Sequence, residues 1–202
     1  MTIQNKLRIT LVALFAFIVG LVGLNFATFA QLDGDATAVN ASGSLRMRAY
    51  QLAWLSARLV PADADEAADL RRTMLAQIEQ YDRILTGLRR GDAELNLRPA
   101  SDEAVKEQLR TLQPLWEEYR THVFAVAGAV GPEEKYDANA VVAAEVVGYV
   151  SAVDKLVTAY DNASQAKIGV SKEIGVGVIV LAFLVFAVSS YCIIMEVLRP
   201  IA

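Results

Sequence analysis

One cysteine, Cys192, and one histidine, His122, are all that 202 residues contain of those two types. A single cysteine excludes an intrachain disulfide. A single histidine excludes a multi-histidine metal site and argues against a nucleophile–base–acid triad; its plain reading is a helix-surface side chain. No stretch has the form of a glycine-rich phosphate loop, and no His/Cys/Asp/Glu cluster has metal-ligand spacing. Strand alternation is confined to short stretches, with no hairpin dipeptide between strands. The carboxylates of Glu66, Asp69, Glu79 and Asp82 run along a helix with arginines and read as a solvated face rather than acid–base machinery. The chain is thus expected to carry no catalytic residues, metal or cofactor. A net charge of -4 gives no reason to expect nucleic acid.

Charge is also missing from two long runs. Ile9 to Leu32 and Ile174 to Met195 have none, and they concentrate the excess behind a 54% hydrophobic content and a mean hydropathy of +0.34. Each can span a bilayer core of roughly 30 Å as a helix. The first exceeds a signal-peptide core of about 7–15 residues, and Thr28-Phe29-Ala30 is a poor cleavage site. Lys6 and Arg8 before the first run and Arg199 after the second place both termini in the cytoplasm by the positive-inside rule. The expected organisation is a cytoplasmic N-terminus (1–8), a first transmembrane helix (9–32), an external domain (33–173), a second transmembrane helix (174–197) and the start of a linker (198–202). The external domain would lie in the periplasm of a bacterium, anchored in the inner membrane by two passes.

What is present between those runs is helical periodicity. No strong breaker interrupts Ile9 to Val60, so the first membrane helix should continue into the external domain. Pro61 and the acids after it mark a turn and a helix start. Leu70, Met74, Ile78, Tyr81, Leu85 and Leu88 give a second helix over 65–90, closed by Arg89, Arg90 and Gly91. Gly91 to Ala100 reads as a loop. Ser101 is the expected cap of a third helix, with Val105, Leu109, Leu112, Leu115, Trp116, Tyr119 and Val123 on its face and Pro114 marking a kink or break. A fourth helix should begin near Lys135 or Asp137, with Val142, Val146, Val150, Val153, Val157 and Tyr160 as its stripe, and run on into the second span. Four helices with short links predict an all-α fold, an antiparallel four-helix bundle between two transmembrane helices.

One stripe on the first helix stands out. Phe29, Leu32, Ala36, Val39, Gly43, Arg46, Tyr50, Ala53, Ala57 and Val60 follow at intervals of three and four, the spacing of a packed seam. Arg46 breaks its apolar character and needs an anionic or hydrogen-bonding partner. Gly43, one turn earlier, leaves room for something small. From periodicity alone the plainer partner is a carboxylate of the same chain, Asp154 or Asp161 on the fourth helix. Arg48, two positions on, is expected at a solvated rim, and Tyr50 and Trp54 are expected to pack.

Asn40, then Gly43-Ser44-Leu45-Arg46-Met47, with Tyr50 one turn later, resembles the P-box of the nitrate/nitrite sensor histidine kinases of the NarX/NarQ type. Tyr149 to Val157 is similar to that family's pattern on the last external helix, and Glu196 to Ala202 resembles the opening of a HAMP module. Gly91-Asp92 and Trp116 also resemble a wider group that includes the N-terminal domains of pilus-linked chemotaxis transducers. The kinase resemblance implies a homodimer in which Arg46 from both subunits holds one nitrate or nitrite beside Gly43, with Asn40 and Met47 as further ligand-site positions, and a cytoplasmic kinase output. Arg48 and Gln51 depart from it, standing where glutamine and arginine are expected. Physical reasoning agrees: two copies of Arg46 across a seam repel, and a planar anion between them accepts charge-assisted bonds from both. The alternatives are a chemotaxis-transducer module with another ligand and a purely structural anchored bundle in which Arg46 is paired within the chain.

Overall fold

The computed structural model describes residues 3–193. Four helices follow in order: α1 (Ile3–Leu59), α2 (Ala64–Arg90), α3 (Glu103–Gly128) and α4 (Pro132–Ile193). Among the described residues there is no strand, only an isolated antiparallel bridge between Asp92 and Leu97. The HAMP-like stretch 196–202 lies outside the described residues.

The chain divides into two units, Gly34–Ser164 and the two end segments, Met1–Asp33 with Gln165–Ala202. In the first, pairings between helices give their directions. Arg58 and Arg48 of α1 meet Glu66 and Gln77 of α2 in opposite order. Arg71, Asp82 and Arg89 of α2 meet Ala127, Trp116 and Gln113 of α3 in opposite order. Tyr119 and His122 of α3 meet Tyr149 and Glu145 of α4, again reversed. This is an up-down-up-down helical bundle. In the end segments, Leu14, Phe17, Ile18 and Leu21 of α1 and Ile179, Ala182, Phe183 and Phe186 of α4 line an apolar groove of about 540 Å³. By length and composition α4 can cross a membrane, whereas the apolar stretch of α1 found among the described residues, Leu11–Leu24, is shorter.

The bundle's centre is an aromatic layer. Tyr81 stacks on Trp116 at 3.7 Å between ring centroids, and Tyr119 stacks on Tyr149 at 4.7 Å. The polar edges of these rings are satisfied, as buried hydroxyls and indoles require. Tyr81 and Tyr149 share a hydrogen bond through their hydroxyls, and Tyr119 donates to the Ala49 carbonyl at 3.1 Å. Trp116 Nε1 donates to Asp82 Oδ1 at 2.6 Å, and Arg120 donates to Asp82 Oδ2 at 2.9 Å. Asp82 therefore leaves the solvated face expected of it and anchors the indole; the acidic-arginine pattern around it hid that inward role. Burial pushes the phenols of Tyr81, Tyr119, Tyr149 and Tyr160 upward.

The ends of the helices are held by side chains. Asp63 caps α2 through the Glu66 amide at 2.9 Å, and Asp102, not Ser101, caps α3 through the Val105 amide at 3.1 Å. Arg71 donates to the carbonyls of Ala127 and Ala129, both at 2.8 Å, supplying a cation where the α3 dipole is negative. Pro114 sits inside α3, which continues through it, and α4 begins at Pro132, a residue type suited to a first turn. The loop after α2 opens at Gly91 with φ 88°, a conformation only glycine adopts readily; its backbone leaves 3.0 Å between an added Cβ and Pro99 Cδ. Asp92 accepts from the amides of Glu94 and Leu95 and from Arg83, and the Arg83 guanidinium holds that carboxyl below its usual range.

Candidate functional site

The Gly43–Met47 motif lies on α1 within the bundle, but its stripe is not the one that packs inside. The buried face of α1 is Ala38, Ser42, Leu45, Ala49, Leu52, Ser56 and Leu59, one residue out of phase with the expected seam. Ser42 and Ser56 are tolerated there because their hydroxyls donate back to Val39 and Leu52, both at 2.8 Å. The seam predicted from spacing is thus corrected: Ala36, Arg46, Tyr50 and Ala57 of that set are exposed. Both phases are small or apolar over this stretch, so periodicity alone could not choose between them.

Outward, α1 presents Asn40, Gly43, Met47, Tyr50 and Trp54 at intervals of three and four. Met47, Tyr50 and Trp54 are 58%, 48% and 55% exposed. Tyr50 and Trp54, expected to pack, are left about half exposed, with the Arg58 guanidinium 5.1 Å from the centre of the Trp54 ring. Gly43 is open: a Cβ built there meets no other group within 4 Å. The neighbouring Ser44 donates to the Ala41 carbonyl at 2.7 Å.

Arg46 stands at the flank of this stripe and reaches across to α4, where Nη1 donates to Asp154 Oδ1 at 2.8 Å. Both side chains are half exposed, 48% and 49%. This is the same-chain carboxylate that periodicity offered as the plainer partner. Arg48 lies on the opposite flank and reaches α2, donating to Gln77 Oε1. It is partly buried rather than a solvated rim residue; its Nε is buried without a hydrogen-bond partner, and desolvation lowers its pKa. The two arginines of the motif therefore bracket the exposed stripe, one paired with a carboxylate and the other with a neutral amide. Asn40 and Met47 are exposed on the same stripe as Gly43.

His122 lies on the outer side of α3 and α4, where its Nδ1 sits 2.6 Å from Glu145 Oε2. Nearby, Leu115, Glu118, Tyr119, Ala144, Gly148 and Tyr149 line a shallow cavity of about 260 Å³. Among the described residues no group of His, Cys, Asp and Glu could hold a metal ion.

A family model for the N-terminal region of type IV pili methyl-accepting chemotaxis transducers (PilJ) matches residues 27–144, more than half of the chain. It spans α2, α3, the bundle part of α1 and the start of α4, and so includes the Gly43–Met47 motif. The ligand-binding domain of the P. aeruginosa nitrate receptor McpN is similar at 22% identity and a TM-score of 0.40, over 57% of this chain and 91% of that one. A likeness of that degree decides neither ligand nor fold. No curated protein matches the chain. The family match corrects the sensor-kinase reading: the chain falls among chemotaxis transducers, the group that Gly91-Asp92 and Trp116 resemble, rather than among NarX/NarQ kinases.

Proposed function

The chain belongs to the family of type IV pili methyl-accepting chemotaxis transducer N-terminal regions, and from that premise we propose that it is a membrane-anchored sensor module binding nitrate or nitrite between two copies of itself. The observation that carries the reading is the outward stripe of α1. It has seam spacing, three large apolar side chains left uncovered, and a glycine whose open side nothing in the chain itself accounts for. A second copy packed on that stripe covers Met47, Tyr50 and Trp54, and brings Gly43 against its counterpart with an Arg46 on each flank. Two guanidiniums beside a gap lacking Cβ atoms suit a small planar anion, which takes charge-assisted bonds from both and relieves their repulsion. Asn40 and Met47, on the same stripe one turn away, would border the anion.

In this reading the end segments span a bacterial inner membrane, the bundle is periplasmic, and the output is that of a chemotaxis transducer. Binding acts on α1 and α4, the two helices that extend beyond the bundle. It shifts signalling only to the extent that the anion prefers one arrangement of them. Nitrate is favoured over an unrelated ligand by the Gly43-Ser44-Leu45-Arg46-Met47 run alone. The test is nitrate titration of the detergent-solubilised or nanodisc-held chain by calorimetry. Arg46→Ala is expected to abolish the heat of binding and the nitrate-dependent thermal shift; unchanged binding in that variant sinks the proposal.

A further inference from the structure

Resting on the reading of Arg46 as the residue that holds the anion, we propose that Asp154 is a built-in competitor for that anion, setting the affinity of the site and passing its occupancy to α4. The Asp154 carboxylate and a nitrate or nitrite ion are small planar oxyanions that accept from the same guanidinium N–H groups. In the structure the carboxylate has that place, through one bond of 2.8 Å from Nη1. An arriving anion has to displace or share it. The exchange is feasible because the pair is half exposed on both sides: water weakens it and can solvate the released carboxylate. A fully buried pair would hold Arg46 too firmly, and an unpaired Arg46 would give the site no link to the rest of the molecule.

The link is specific in its placement. Arg46 and Asp154 are 108 residues apart and join α1 to α4. These are the two helices that run past the bundle, to Ile3 at one end and Ile193 at the other. Arg48, the other motif arginine, is tied to Gln77 of α2, a helix confined to the bundle, and has no carboxylate to release. Anion binding at Arg46 thus converts an α1–α4 ion pair into an unpaired aspartate on α4. That is a differential contact between two states, which a transmitted signal requires.

The experiment is nitrate titration of the full chain in nanodiscs, with wild type, Asp154→Asn, Asp154→Ala and Asp154→Glu compared and each variant's melting temperature recorded. Removing the competing charge is expected to tighten nitrate binding roughly two- to fivefold, the scale of a half-exposed ion pair. Asp154→Glu, which keeps the charge, is expected to return affinity toward wild type. Asp154→Ala guards against a folding defect peculiar to the amide. Affinity unchanged or weakened in both neutral variants, with melting temperatures intact, overturns the competitor role and leaves Arg46 as the anion's holder. A wild-type chain that takes up no nitrate overturns that underlying reading, and the competitor with it.

Discussion

Two faces of one helix, nearly half a turn apart, differ in what covers them. On one, Leu45, Ala49 and Leu52 are wholly buried against the other three helices. On the other, Met47, Tyr50 and Trp54 are about as apolar and lie half open or more. The covered face is sealed by detail: serine hydroxyls returned to the backbone, the Ala49 carbonyl capped by Tyr119. The uncovered face has an open glycine and is flanked by two arginines that reach away from it to α4 and α2. Apolar composition alone therefore does not separate the covered face from the uncovered one. The separation comes from whether polar groups near the stripe are satisfied inward, and from where charged side chains fall at its edges.

Substituting on the two faces breaks or confirms this contrast most sharply. Leu52→Ala deletes a fully buried side chain from the core and is expected to lower bundle stability by about 2–5 kcal/mol. Met47→Ala, on the exposed stripe, should change the stability of the single chain by less than about 0.5 kcal/mol while weakening self-association. Chemical denaturation at low protein concentration reads the first effect, and sedimentation of both variants reads the second. Equal losses of folding stability from the two substitutions would mean that the outward stripe is core after all. No change in association for Met47→Ala would remove it as a seam.

Much of this fold was legible in the sequence. The stripes of α2 and most of α3 and α4 are legible residue by residue, because each of those helices is apolar mainly on one side; Leu115, expected on the α3 face, lies exposed instead. Trp116 with Tyr119 was recognisable as a core aromatic pair. α1 was harder for a physical reason: its Ala-, Ser-, Gly- and Leu-rich stretch offers two interleaved stripes, and neither spacing nor propensity says which meets the bundle. The inward role of Asp82 was hidden because its tie to Trp116 crosses 34 residues, and the capping role of Arg71 leaves no local signal because the carbonyls it meets lie 56 and 58 residues on. Asp154 could be named as a partner for Arg46, but choosing it over Asp161 needed the register of α4 against α1.

A smaller effect sharpens the covered side. Tyr149→Phe deletes one end of the hydroxyl pair and leaves the buried Tyr81 hydroxyl without that partner, for a loss of about 1–3 kcal/mol. Alkaline pH tests the same layer. Burial raises the folded-state pKa of Tyr81, Tyr119, Tyr149 and Tyr160. The unfolded chain, with phenols near an ordinary value of about 10, then releases these protons first. The stability tied to the neutral phenols is present below that pH and is lost as pH rises through it toward the folded-state values. Melting temperature should hold steady up to about pH 9.5 and fall beyond about pH 10. Tyr149→Phe should melt lower at neutral pH and fall less steeply in alkali. A wild-type melting curve indifferent to alkali would mean that the layer is open to solvent.

The smallest expected change tests the uncovered side at its most distinctive residue. In a lone chain Gly43 costs helix stability without any packing return, since a methyl there touches nothing within 4 Å. Gly43→Ala should therefore stabilise the unpaired bundle by about 0.5–1 kcal/mol. The background for that measurement is Tyr50→Asp, which sets like charges against each other across any two-fold seam on this face. In the otherwise unchanged chain the same substitution sets two methyl groups into the gap between copies and into the space proposed for the anion. There the gain should shrink or reverse, and the nitrate-dependent thermal shift should fall. If Gly43→Ala stabilises both backgrounds equally and leaves nitrate binding intact, the glycine is an ordinary surface residue. Neither the seam nor the anion then accounts for its place in the motif.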